Sequence, residues 1–320
     1  MSTLLSTRHT LLDLANQIHN GNILKVAEVL NETNEIFLDA VWVEANMEGG
    51  HKGNVRTSLP SGTWRKVNDG VAKEKSTTRM IIETIGELQS RSEVDKLLYD
   101  LAPNKAAYRT NEDMAFLEGL GQTFADTFVY GDVVANPEQF NGLDLRIQSK
   151  TASNAVDGGG SGSDTTSIWV VQWGVNKVHF VYPRGSQIGI EMRDLGEQSV
   201  DGETSTTKFQ ALVTLFTLRA GLFVHDDRCI QRICNIESAG SSNTFDENDL
   251  ITALNRLPYG GVGATIYCNQ TIKTQMDIRA KDKTNVNYTP GEAFGRPVTF
   301  FRGVPVRKVD AILDTETALS

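Results

Sequence analysis

Long apolar runs are scarce in this chain of 320 residues. The longest, Phe209 to Val224, falls short of the ~20 residues that cross a bilayer and is interrupted by Arg219. It reads instead as a buried helix or a helix-strand junction, and no membrane role is expected. Near the amino terminus, Arg8 and His9 are not followed by a continuous apolar segment with a small-residue cleavage site, so nothing there is expected to direct secretion. Cysteine is scarce too. Cys229, Cys234 and Cys268 are an odd set that cannot all pair within one chain, and free, buried thiols are expected. Cys229 and Cys234 fall within Gly221 to Glu237, which reads as β-structure, and their separation puts them on opposite faces of a strand, where they could not share a metal. The third absence is a basic excess. A net charge of −9 argues against a free-standing nucleic-acid binder or a membrane-surface protein.

What is present is enough for a sizeable core in one large or two ordinary domains, with helical and strand signals mixed in an α+β pattern. Leu11 to Leu30 is amphipathic and helical in character, interrupted by Asn20-Gly21-Asn22, and Ile36 to Val43 reads as extended. Residues 44–78 have many glycines and charges and only scattered apolar residues, the composition of a projecting hairpin of two irregular strands. That segment buries little against its own chain, so removing Gly49 to Asp69 should cost the fold little. Ser92 is expected to open a short helix through Tyr99. A long helix follows over 111–130: Thr110 can cap it with Asp113 in the box position, Met114, Leu117, Leu120, Phe124 and Phe128 recur on one face, and Gly131 stands where a carboxyl-terminal cap belongs. Further on, Thr166 to Tyr182 reads as two strands around Gly174 to Lys177, Asn248 to Leu257 and Thr271 to Ala280 as helices, Ala264 to Cys268 as a strand, and Phe294 to Ile312 as strands turning at Arg302-Gly303.

Reactive residue types gather at His225-Asp226-Asp227-Arg228-Cys229. In a strand His225, Asp227 and Cys229 would share a face, yet no second His/Cys cluster lies nearby in sequence to complete a ligand set. A structural strand is therefore expected, with no metal, no cofactor and no catalytic residues; an α+β enzyme using His225 and Asp227 is the competing reading. His9, His19, His51 and His179 are scattered. The Gly-rich segment 157–163 lacks the Gly-Lys-Ser/Thr ending of a phosphate loop, and Ser161 lacks the second glycine of a nucleophile elbow. Trp169 and Trp173, four apart in an apolar strand, are expected in the core, whereas Trp64 sits among polar residues and glycines and is expected to insert into a neighbouring subunit.

Three stretches of one spine segment and three segments beyond it carry a family resemblance. Tyr108-Arg109-Thr-Asn-Glu-Asp-Met-Ala-Phe-Leu-Glu-Gly119 is followed by Phe128-Val-Tyr-Gly-Asp132 and by Asn136-Pro-Glu-Gln-Phe-Asn-Gly-Leu143. Beyond these come Thr166 to Ser186, Gly221 to Ile236 and Phe294 to Ile312. In this order they resemble the major capsid proteins of short-tailed, epsilon-fifteen-like tailed bacteriophages (podoviruses), which have the Hong Kong 97-like capsid fold. The resemblance implies an N-terminal arm over 1–43, an E-loop hairpin over 44–78, a peripheral domain over 79–148 with the spine helix, an axial domain over 149–290, and a return β-segment with the C-terminus over 291–320. It implies a non-enzymatic structural protein that self-assembles as pentamers and hexamers into an icosahedral shell around double-stranded DNA, without sequence-specific binding. A separate scaffolding protein, a portal and a cement or decoration protein are the implied partners. The implied location is the virion capsid, with assembly in the host cytoplasm. An encapsulin-like compartment of the same fold is the alternative. Contact candidates between subunits are Lys52, Arg56, Trp64, Arg65, Lys66 and Lys73, the lysines of the hairpin being read as solvated or as inter-subunit ion pairs.

Overall fold

The computed structural model describes residues 18–19, 22–23, 36–202, 207–240, 242–280, 288–293 and 296–320. Within the amphipathic stretch Leu11 to Leu30, the described pieces are Ile18–His19 (β1) and Asn22–Ile23 (β2), which pair antiparallel where a helix was expected. The Asn-Gly dipeptide between them is a strong hairpin signal. Ile36–Asp39 forms a single helical turn (α1) before Trp42–Glu44 (β3), so the extended segment starts later than its composition suggests. Gly50–Ser58 (β4) and Thr77–Thr84 (β5) form a two-stranded sheet of their own.

Ser92 lies inside a strand, Gly86–Asp95 (β6), and the helix that follows, Lys96–Leu101 (α2), is capped by Asp95, whose carboxylate accepts from the Leu97 N–H. The long helix is Lys105–Tyr130 (α3). It begins earlier than 111 because Asn104, not Thr110, supplies the cap: the Asn104 side chain accepts from the Ala107 N–H at 3.2 Å. Leu120, Phe124 and Phe128 are buried as their spacing implies, while Met114 is exposed, so the apolar face starts a turn later. Gly131 follows the helix as expected, but glycine stands there for a different reason than a left-handed cap: a side chain would collide with the Thr127 and Phe140 carbonyls.

The remaining elements are Ala155–Asp157 (β7), Thr165–Gln172 (β8), Val178–Tyr182 (β9), Ile190–Asp201 (β10), Lys208–Val224 (β11), Ile230–Glu237 (β12), Glu247–Arg256 (α4), Ala264–Cys268 (β13), Gln270–Ala280 (α5), Tyr288–Ala293 (β14), Arg296–Phe301 (β15) and Val304–Lys308 (β16). The apolar run at 209–224 is thus strand throughout, not helix. Its Val, Thr and Phe content favours extended backbone, and periodicity alone does not separate a buried strand from a buried helix.

The chain forms two compact units, with the division falling inside α3 and inside β11. In the smaller unit (1–33, 87–125 and 189–219), β10 pairs antiparallel with β11 from Ile190↔Leu218 to Asp201↔Lys208. Val200, Ala211 and Val213 make one apolar cluster there, and Val94, Leu98, Ala102 and Tyr108 another. Arg109 donates to Asp194 at 2.6 Å and to the Thr214 hydroxyl at 2.9 Å.

The larger unit is built on a seven-stranded sheet in the order β14-β15-β16-β13-β8-β12-β7. Every residue of β8 is buried. Residues from α4 and α5, among them Leu250, Ala253, Ile272 and Met276, share a core with Ile168, Val170, Ile233, Ile266 and Phe301. Arg232, 2 % exposed, stacks on Trp169 at 4.7 Å and donates to Asp144, Ser167, the Ile147 carbonyl and Glu316. Glu316 also accepts from the Tyr130 hydroxyl at 2.6 Å, so the carboxyl-terminal tail is tied to helix and sheet together. A buried charge with this many partners stabilises the arrangement only as a complete set. In the same unit the end of β11 pairs antiparallel with β9, and β9 pairs in parallel with β3.

Candidate assembly site

The hairpin of β4 and β5 is fixed at its base and bare beyond it. At the base, Asn46 holds Lys52 in both directions: its amide donates to the Lys52 carbonyl at 2.7 Å and accepts from the Lys52 N–H at 2.8 Å. Glu83, 8 % exposed, accepts from Arg146 at 2.9 Å, and Arg146 also donates to the Leu222 carbonyl. His51 is 9 % exposed. The base therefore belongs to the folded unit, and removing Gly49 to Asp69 would strip the partner of β5 and empty a buried position. The segment that buries little is shorter than composition implied.

From residue 56 to residue 80 every side chain is exposed. Between Ser58 and Thr77 the chain has no strand or helix. It is held by local bonds, the Ser61 N–H to Glu74 at 2.5 Å and the Asp69 N–H to the Lys66 carbonyl at 3.2 Å. Trp64 is 101 % exposed, with Leu59 and Val67 nearly as bare. On β5, Met80 and Ile82 point outward on one face while Glu83 on the other is buried. Between Lys52 and Arg79 seven basic side chains stand against two acidic ones, Asp69 and Glu74, in a chain whose net charge is −9. The contact candidates Lys52, Arg56, Trp64, Arg65, Lys66 and Lys73 all lie on this exposed surface, and among the described residues none of the five cations forms an ion pair. The local surplus of charge was readable in the sequence from the contrast between this segment and the whole chain.

The segment after Val224 departs from the expected strand. Asp226 accepts from the Arg228 N–H and guanidinium, and Asp227–Cys229 is a 3-10 turn. His225, Asp227 and Cys229 consequently do not share a strand face, and Cys229 and Cys234 do not lie in one strand. All three thiols are free and buried, and burial pushes Cys229 and Cys234 up to about 11 and Cys268 to about 12. Trp169 and Trp173 are core residues, the latter donating its indole N–H to the Tyr267 hydroxyl at 2.8 Å. The Gly-rich loop is pinned along β12 by the Gly158 and Gly160 N–H groups, which donate to the Cys234 and Asn235 carbonyls. His225 meets partners that sequence proximity did not reveal, the rings of His179 and His51. Among the described residues no helix is long and apolar enough to cross a membrane.

The chain is similar over its full length to a chain of the bacteriophage Epsilon15 structure, with 30% identity, a TM-score of 0.75, and coverage of 100% of this chain and 99% of that one. The bacteriophage JBD30 capsid has the same fold, at 8% identity and a TM-score of 0.54 over 88% of this chain and 92% of that one. No curated protein sequence matches significantly. A family model for "Major capsid protein GP7" matches residues 19–320. These matches favour a phage shell over an encapsulin-like compartment. With an α+β fold of the Hong Kong 97-like kind, the chain belongs to the Major capsid protein GP7 family and is a shell-forming subunit of a tailed-phage virion.

Proposed function

We propose that the exposed half of the hairpin is the element that joins one subunit to the next. The observation that carries this reading is the unbroken exposure from residue 56 to 80, apolar Trp64, Leu59 and Val67 included. A segment with no intramolecular core is stabilised by a second copy that covers its apolar residues, and its surplus of positive charge complements the acidic remainder of that copy. Lys52, Arg56, Arg65, Lys66 and Lys73 supply the charge and Trp64 the anchor. On this reading residues 1–43 are an arm, 44–78 the E-loop, 79–148 with 291–320 the peripheral domain and 149–290 the axial domain. Subunits close as pentamers and hexamers around double-stranded DNA, which they enclose without reading its sequence. A separate scaffolding protein, a portal and a cement protein take part, assembly takes place in the host cytoplasm, and the subunit catalyses no reaction.

The test is charge reversal in the tip. Arg65→Glu with Lys66→Glu, expressed with and without scaffold, should leave the circular-dichroism spectrum unchanged and abolish closed shells in the electron microscope. Normal shells from that variant would refute the reading.

A further inference from the structure

The fold brings three histidines, distant in sequence, to one point of the larger unit. His51 comes from β4, His179 from β9, and His225 follows β11; one nitrogen of each lies within 4.8 Å of the others. Local geometry makes this juxtaposition necessary. Phe223 stands directly opposite His179 in the β11–β9 register, so His225, two residues on, projects to the same side. The ring centroids of His179 and His225 are 5.3 Å apart, and those of His51 and His179 are 5.6 Å apart. Phe223 packs against His51 at 4.7 Å and His225 at 4.6 Å, an apolar wall on one side. Gly53 leaves the space for it, because a Cβ there would come within 2.5 Å of the Phe223 Cζ.

Packing alone does not account for three imidazoles here. Both ring nitrogens of His179, which is 1 % exposed, and Nδ1 of His51 are buried without a hydrogen-bond partner among the described residues. The Gly174 backbone lies near enough to His179 to favour its charged form, but no hydrogen bond of standard geometry reaches either ring nitrogen among the described residues. A buried polar atom left unsatisfied is costly, and an ion that accepts its lone pair removes the cost. We propose that His51, His179 and His225 form a binding site for a divalent transition ion of the zinc type, clamping the base of the hairpin to the strands beneath it.

The chemistry fits. Three imidazole nitrogens from separate strands converge on one point, and neutral imidazole is the commonest ligand for ions of this type. Corners of a 4.8 Å triangle lie about 2.8 Å from its centre, against roughly 2.0–2.1 Å for zinc–imidazole bonds, so inward movement of under ~1 Å closes the site. His225 also lines an open cleft of about 660 Å³ with Asn54, Arg56, Asn176, Asp226 and Arg228, which gives an ion a way in and leaves a fourth position to solvent. The expectation of no metal rested on the absence of a second cluster near His225 in sequence; the second and third ligands come from other strands.

The full chain, stripped with chelator and titrated with zinc, should bind one equivalent in equilibrium dialysis. His225→Gln, at a half-buried position, should weaken that affinity by at least about tenfold while leaving the unfolding temperature of the metal-free protein unchanged. Substituted cobalt(II) should give the intense visible bands of a tetrahedral nitrogen site. No zinc uptake, uptake equal in the variant, or an octahedral cobalt spectrum would overturn the proposal. Should His225→Gln not fold, X-ray absorption at the zinc edge of the unaltered protein decides alone: three imidazole nitrogens support the site and fewer reject it.

Discussion

Along β8, from Thr165 to Gln172, every residue is buried; along the hairpin, from 56 to 80, every residue is exposed. Both contain tryptophan. The difference is in what surrounds them. β8 has hydrogen-bonded strands on both sides and helices α4 and α5 contributing to the same core, so each side chain is covered by its own chain. In the hairpin, β4 and β5 pair, among the described residues, only with each other, and beyond the buried base a two-stranded ribbon leaves both faces exposed. Identical residue types are thus covered by their own chain in one place and left exposed in the other.

Trp169→Ala probes the covered side of this contrast. It removes a fully buried ring stacked on Arg232 and should destabilise the subunit by ~3–5 kcal/mol, visible as a large fall in the thermal unfolding midpoint. An unchanged midpoint would mean that β8 is not core. At the junction of the two regimes, Gly53→Ala should cost roughly 1–3 kcal/mol, because the new methyl group drives Phe223 out of its packing. Denaturant titration measures it, and a neutral result would show that the hairpin base is as loose as its tip. On the exposed side, Trp64→Ala should change subunit stability by less than ~0.5 kcal/mol, since the ring is fully exposed among the described residues. The same substitution should raise the concentration needed for shell formation, measured by sedimentation. Equal assembly of variant and parent would remove Trp64 as an anchor.

Much of this contrast was legible in the sequence. Glycine and charge between 44 and 78 marked a hairpin poor in core residues, of which the structure leaves 56–80 exposed, apolar density around Trp169 identified core, and the Arg302-Gly303 turn separates β15 from β16 where expected. The misreadings share a physical cause: they depended on neighbours distant in sequence. Phe209 to Val224 is strand because β6, β9 and β10 are there to pair with it. The hairpin base is buried because Arg146 reaches Glu83, and that contact fixes the shorter limits of the exposed segment. Thr110 lost the cap to Asn104 by a local competition that pattern matching does not rank. The meeting of His51, His179 and His225 has no signature within any one segment, and strand register alone creates it.

The measurement that bears most directly on the account is deletion of the tip. Residues 59–76 are replaced by a short flexible linker from Ser58 to Thr77, which keeps β4, β5 and the buried base intact. Circular dichroism and thermal unfolding of the variant subunit are recorded beside sedimentation of its assemblies. The account predicts a subunit within ~1 kcal/mol of the parent in stability, because the removed residues are all exposed and bury little apolar area among the described residues, together with the loss of closed shells, because the missing contact recurs at every copy. A subunit that unfolds, or one that still closes into normal shells, would contradict it.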